Sequence, residues 1–173
     1  MIRTERLALR PWRDGDAAAH NALASHPRVA EMLGKVPTLA DSHDTVRRQR
    51  MLQAEHGYCF WVVEHAGSFS GWCGLKPGAW PIEGELEIGW TLAPQLWGRG
   101  LACEAAAATL DWVWATTDRP HVAAITATDN VRSRALMARL GMAQVPDGDF
   151  DHPELAEGHP LRRHVLYRIG RPA

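Results

Sequence analysis

Residues 85–115 read ELEIGWTLAPQLWGRGLACEAAAATLDWVWA, and the change of period inside this stretch decides the fold. From Glu85 to Leu92 the residues alternate. Leu86, Ile88, Trp90 and Leu92 share one face, and Glu85, Glu87, Gly89 and Thr91 the other, as in a strand with one apolar face. From Leu101 to Thr117 only Glu104 and Asp111 are charged, seven residues apart on one narrow stripe, as in a helix pressed onto a sheet. Between strand and helix lies QLWGRG, Gln95 to Gly100, where two glycines flank an arginine. A strand, a glycine turn and a helix start together present unpaired N–H groups and the positive end of the helix dipole, which hold anions. A tight corner without a ligand has the same local pattern.

Two anion-binding patterns fail on the residues. A P-loop needs Lys and Ser or Thr after its last glycine, and LACE follows Gly100. A dinucleotide turn needs a third glycine, where Cys103 stands, and Asp118 falls in a loop rather than at a strand end.

Upstream, RLALRPW reads as a strand closed by Pro11. A helix capped by Asp16 follows and is ended by Pro27, and a second helix, capped by Asp41 or Ser42, is stopped by Gly57. YCFWVVEH is a strand, GSFSG a turn and WCGLK its hairpin partner, followed by a loop over PGAWPIEG. Downstream come the strand HVAAITATDN, the helix VRSRALMARLGM with Gly141 at its C-cap, a strand start at AQV, a polar loop from Pro146 to Arg163, and the strand HVLYRI. The mixed order predicts an α+β (mixed α/β) fold with one central sheet.

The chain has 173 residues, 46% of them hydrophobic and 23% charged, which suits a single domain over residues 1–173. A net charge of −1 offers no field for nucleic acid or a membrane surface. The N-terminus carries Arg3, Glu5, Arg6 and Arg10, and no apolar run approaches 18 residues, so a soluble, cytoplasmic protein is expected. Cys59, Cys73 and Cys103 form no C-x-x-C pair, and His152, His159 and His164 lack ligand spacing, so no metal site is expected.

The motif Gln95-x-x-Gly98-x-Gly100 resembles the cofactor turn of the GNAT superfamily of N-acetyltransferases. DNVRSRALMARLGM matches that family's next motif, with Asn130, Ser133, Gly141 and Met142 in register. TERLALRPW, EIGWTLAPQLWGRGLACEA and FDHPELAEGHPLRRHVLYR are similar to the branch containing ribosomal-protein N-terminal acetyltransferases. The resemblance implies a mostly antiparallel twisted sheet flanked by helices, and transfer of acetyl from acetyl-CoA to a primary amine. The acceptor would be a peptide or protein N-terminus or a small molecule, and the branch is compatible with a homodimer.

It further implies roles for particular residues. Gln95, Trp97, Gly98, Arg99, Gly100, Leu101 and Ala102 would hold the pyrophosphate, and Asn130 the pantetheine arm, although Arg99 equally suits a side chain turned to solvent and Asn130 a helix N-cap. A backbone N–H around Leu92 would face the thioester oxygen. Amine attack needs a base or a water relay; Glu87 is the first candidate and Glu85 the alternative, the plain reading of both being solvated strand carboxylates. Met137 stands where many members carry a proton-donating tyrosine, which makes Ser133, on the same helix face, the substitute. The acidic loop (Asp147, Asp149, Asp151, Glu154, Glu157) could draw a cationic amine or be merely solvated, and Trp12, Trp61, Trp72 and Trp80 could line a pocket or the core. A non-catalytic acyl-CoA-binding module and a nicotinamide oxidoreductase are the competing readings.

Overall fold

The computed structural model describes residues 1–172. The alternating segments join one sheet of nine strands among the described residues: β1 (Ile2–Arg3), β2 (Leu7–Arg10), β3 (Phe60–His65), β4 (Ser68–Pro77), β5 (Leu86–Leu92), β6 (His121–Ala127), β7 (Ala143–Gln144), β8 (Phe150–Asp151) and β9 (Arg163–Gly170). The order is β1-β2-β3-β4-β5-β6-β9-β7, with β8 pairing β9. Every pairing is antiparallel except β5 with β6. The helices are α1 (Asp16–Ala24), α2 (Pro27–Leu33), α3 (Leu39–His56), α4 (Leu101–Thr116) and α5 (Val131–Arg139). This is the mixed fold with one central sheet that the element order predicted, and the mostly antiparallel sheet flanked by helices that the GNAT resemblance implied.

Strand parity sorts the helices onto two faces. Leu86, Ile88 and Leu92 of β5 join a core with Leu101, Ala105, Leu110 and Val113 of α4. Cys73 Sγ on β4 lies 3.7 Å from Thr109 Oγ1 on that helix. Met137 of α5 joins the same core beside Val165 and Tyr167. The opposite face, which carries Glu87, is covered over β3 and β4 by α1 and α3: His20 packs on Trp72 at 4.9 Å, and Gln49 Oε1 accepts the Phe60 N–H at 2.9 Å. Over β6 and β9 the cover is Ile82, packed on Ala123 and Leu166. Glu87, in register with Lys76 and Ala123, sits at the boundary between these two covers.

Several boundaries differ from the sequence reading. Pro27 opens α2 rather than merely ending α1, because its fixed φ and missing N–H suit the first helical turn. The second long helix starts earlier than Asp41 or Ser42 allowed. Thr38 is its N-cap, and Asp41 is the third helical residue of a capping box, accepting the Thr38 N–H at 2.8 Å while its own N–H donates to Thr38 Oγ1 at 3.1 Å. Gly15, not Asp16, caps α1; the Asp16 carboxylate accepts the Arg13 N–H and both guanidinium ends of buried Arg10, which also reaches Glu64. The hairpin turn is Ala66-Gly67, both at positive φ, so β4 begins at Ser68 within the segment read as turn. The short strands β1 and β8 carry too few residues to show a period.

Candidate active site

The parallel pairing of β5 with β6 consists of Glu87 opposite Ala123 among the described residues. Beyond that point the two strands part and leave a cleft. The Ala93 N–H donates to the Ser70 carbonyl at 2.9 Å, so by antiparallel alternation the Leu92 N–H and carbonyl point away from β4, into the cleft. The Trp97 indole N–H takes the Leu92 carbonyl at 2.7 Å. The Leu92 N–H remains as a donor facing the gap.

The glycine turn closes one end of the cleft. Gly98 and Gly100 adopt φ of +75° and +77°, a left-handed conformation that costs other residues about 1–2 kcal/mol. Gly100 is the N-cap of α4 and provides no side chain to the first-turn N–H groups of Leu101 and Ala102. Those donors and the helix dipole are aimed at whatever occupies the turn. The one acidic residue of that first turn, Glu104, is neutralised by Arg6, whose Nε donates to it at 2.7 Å. Arg6 Nη1 also donates to the Arg99 carbonyl at 3.0 Å and so pins the turn to the N-terminal segment. Gln95 and Arg99 are exposed at the turn.

Two residues absent from the sequence reading complete this end. The guanidiniums of Arg28 on α2 and Arg132 on α5 lie 4.5 Å and 4.9 Å from the centre of the Trp97 ring. Neither makes an ion pair among the described residues. Two unpaired cations on one indole beside the glycine turn form a basic wall. Nothing local marks Arg28, because it reaches the turn only through the packing of α2.

Asn130 and Ser133 stand at the start of α5, flanking Arg132. Asn130 Oδ1 accepts the Ser133 N–H at 3.2 Å, so Asn130 is the N-cap of α5. Ser133 is half-buried, whereas Met137 is only 1% exposed and belongs to the core.

Neither strand carboxylate is a solvated surface group. Glu85 accepts two hydrogen bonds from Arg168, at 2.8 and 2.6 Å, and lies 2.8 Å from His121 Nε2. The Arg168 bonds hold its carboxyl below the usual range against the opposing effect of burial. Glu87 is 8% exposed, with Lys76 Nζ at 3.1 Å. Burial raises its pKa, and the charges of Lys76 and His152 only partly offset that. A buried carboxyl with a raised pKa beside a cleft has the character of a proton acceptor.

The acidic loop is less free than its composition suggested. Asp151 pairs with Arg162 at 3.2 Å and Arg163 at 3.4 Å, and Asp149 accepts from the Gln144 amide. Trp12 and Trp61 are core residues and Trp72 is half-buried, whereas Trp80 is 51% exposed. Cys59 and Cys73 are buried thiols whose pKa is pushed up to about 12. No cluster of potential metal ligands occurs among the described residues, and no helix among them is long and apolar enough to cross a membrane.

Comparison with known proteins gives this geometry a context. A family model described as an acetyltransferase (GNAT) domain matches residues 6–143. An uncharacterized Bacillus subtilis protein, YkkB, is 28% identical over 142 residues, covering 80% of this chain and 83% of its own. The solved structure of an acetyltransferase from Agrobacterium tumefaciens superposes with a TM-score of 0.77 at 27% identity, covering 97% of this chain and 92% of that one. A structure of RimL, a ribosomal L7/L12 alpha-N-protein acetyltransferase in complex with coenzyme A, shares the fold with a TM-score of 0.79 at 18% identity, covering 96% and 95%.

Proposed function

The chain belongs to the GNAT acetyltransferase family and is an acyltransferase, and we propose that it transfers acetyl directly from acetyl-CoA to a primary amine. The observation that carries this reading is the convergence on one cleft of an uncapped helix start, two left-handed glycines and a free strand N–H. In this reading the pyrophosphate sits on the turn from Gln95 to Ala102, against Trp97, Arg99, Arg28 and Arg132. The pantetheine arm lies between β5 and β6 and bonds Asn130.

The amine nitrogen attacks the thioester carbon. Negative charge then develops on the carbonyl oxygen and is met by the Leu92 N–H, a preorganised donor. The carbon–sulfur bond breaks, the electron pair leaves with sulfur, and the amine proton passes to Glu87. Glu87 precedes Leu92 by five residues, about 17 Å of extended strand, so the proton travels through water rather than by direct contact. Glu85 is tied to Arg168 and His121, which favours Glu87 as the base. Ser133 supplies a hydroxyl near the leaving sulfur, since Met137 has no proton to give. No metal is needed for any of these steps. The RimL likeness supports a peptide N-terminus as one acceptor class.

Thermal stabilisation by acetyl-CoA, followed by thiol release with a panel of amines, tests this function. Stabilisation and amine-dependent release are expected. Stabilisation by NAD(H) but not by CoA, or acetyl-CoA binding without turnover of any amine, would refute it.

A further inference from the structure

Trp97 links the end of β5 to the basic wall at the glycine turn. Its indole N–H donates to the Leu92 carbonyl at 2.7 Å, and the guanidiniums of Arg28 and Arg132 lie 4.5 Å and 4.9 Å from the centre of its ring. The side chain is half-buried against the core and closes a short loop back onto the strand. Inside that loop, the 3-10 turn Pro94–Leu96 is held by the Leu96 N–H on the Ala93 carbonyl at 2.9 Å and the Trp97 N–H on the Pro94 carbonyl at 3.3 Å. Pro94 has a fixed φ and no N–H, so it brings no competing donor.

The Leu92 backbone needs such an anchor. Leu92 faces Gly71 as a pair that exchanges no hydrogen bond, because the next pair is bonded through the Ala93 N–H and the Ser70 carbonyl. The N–H and C=O of Leu92 therefore both point into the gap beyond Glu87 and Ala123, where β6 no longer pairs with β5. An acceptor dipole thus stands beside the donor dipole. Left open, that carbonyl would present negative charge next to an oxyanion and would let the peptide turn. The indole N–H occupies it from one side, and the bond from Ala93 to Ser70 fixes the backbone from the other. A preorganised donor is effective because its orientation is held before the charge develops.

We infer that Trp97 is a positioning residue for acyl transfer: through the Leu92 carbonyl it holds the Leu92 N–H on the thioester oxygen, and through its ring it ties that donor to Arg28 and Arg132 at the phosphates. The inference rests on the acetyltransferase reading above and adds a role that lining the phosphate site does not require. The two contacts are separable, because one uses the indole N–H and the other the face of the ring.

The test measures thiol release from acetyl-CoA and from S-acetylpantetheine, with the amine that the wild type turns over best. Trp97→Phe keeps an aromatic face and loses the N–H. Its kcat should fall about tenfold, less than the roughly 10²- to 10³-fold cost of removing an oxyanion donor itself. Its acetyl-CoA KM should stay within about threefold, because the phenyl face still meets both guanidiniums. The same loss of turnover should appear with S-acetylpantetheine, which has no pyrophosphate. The Arg28→Ala/Arg132→Ala double variant should do the reverse, raising the acetyl-CoA KM and leaving kcat within about twofold, as for lost ground-state binding. The benzothiophene isostere of Trp97 keeps the bicyclic ring and lacks only the N–H; it should match Trp97→Phe, and it decides the outcome if that variant does not fold. A kcat of the isostere within about twofold of wild type, or a loss confined to the acetyl-CoA KM, overturns this inference alone. Absence of thiol release by the wild type with every amine overturns the acetyltransferase reading and this inference with it.

Discussion

Replacing Glu87 with Gln tests the proposed role of Glu87 as base apart from its part in the fold. The carboxylate is buried on the Glu87 face of β5 and meets one cation, Lys76 Nζ at 3.1 Å. General bases contribute roughly 10²- to 10⁴-fold. A base working through water belongs at the lower end, so kcat should fall about 100-fold, equivalent to about 2.7 kcal/mol of barrier. The acetyl-CoA KM should stay within twofold, because Glu87 is remote from the glycine turn. The stability effect has the opposite sign. Burial raises the Glu87 pKa, so the folded state holds this proton more tightly than the unfolded one, and ionisation costs stability as pH rises through the folded value. Glutamine removes that cost at neutral pH, and Lys76, 37% exposed, can turn to water. The melting temperature should therefore be equal to or above that of the wild type. Activity of the wild type should fall as pH drops through the raised carboxyl value, and the variant should lack that limb. Steady-state kinetics against pH and a thermal melt measure both. A kcat within threefold of wild type, or an acid limb that persists in the variant, would refute the assignment.

Three further outcomes follow from other contacts. Gly98→Ala meets no atom within 4 Å, so its effect is backbone strain alone; about 1–2 kcal/mol corresponds to roughly a 5- to 30-fold rise in the CoA dissociation constant if the free turn relaxes, measured by calorimetry. Arg28→Ala and Arg132→Ala should each weaken CoA binding while leaving S-acetylpantetheine, which lacks the pyrophosphate, unaffected; the difference should shrink with added salt. Asp16→Ala removes one of the two carboxylates that pair the buried Arg10 guanidinium, leaving Glu64, and should cost about 3 kcal/mol, the low end for breaking a buried ion pair, in denaturant unfolding. Burial, the largest single influence, opposes ionisation of Asp16, but the bonds and charges of Arg10 and Arg13 together outweigh it and hold the pKa low; the wild-type contribution is present above the unfolded value and lost as pH falls through the lowered folded value.

The central elements were legible because their patterns are local. Alternation from Leu86 to Leu92, the apolar stripe from Leu101 to Val113 and the glycine turn between them each reflect backbone geometry that neighbouring residues impose. Asn130 as an N-cap is local in the same sense. The errors fell where two physical signals compete at one residue. Proline both ends and begins helices, and only the chain beyond Pro27 decides which. Thr38 and Asp41 are both good caps, and the capping box uses them together.

By itself, then, the sequence determined the order and type of the main elements and a glycine turn at Gln95 to Gly100, because period, capping and glycine conformation act over a few residues. Tertiary structure alone decided the chemistry around that turn. Strand pairing buried Glu87 beside Lys76 and left Glu85 to Arg168 and His121. Helix packing brought Arg28 and Arg132 onto Trp97, and the pairing of β8 with β9 set Phe150 between Trp80 and His164. Charge, burial and stacking depend on distance in space, and residues far apart in the chain become neighbours only when the sheet closes.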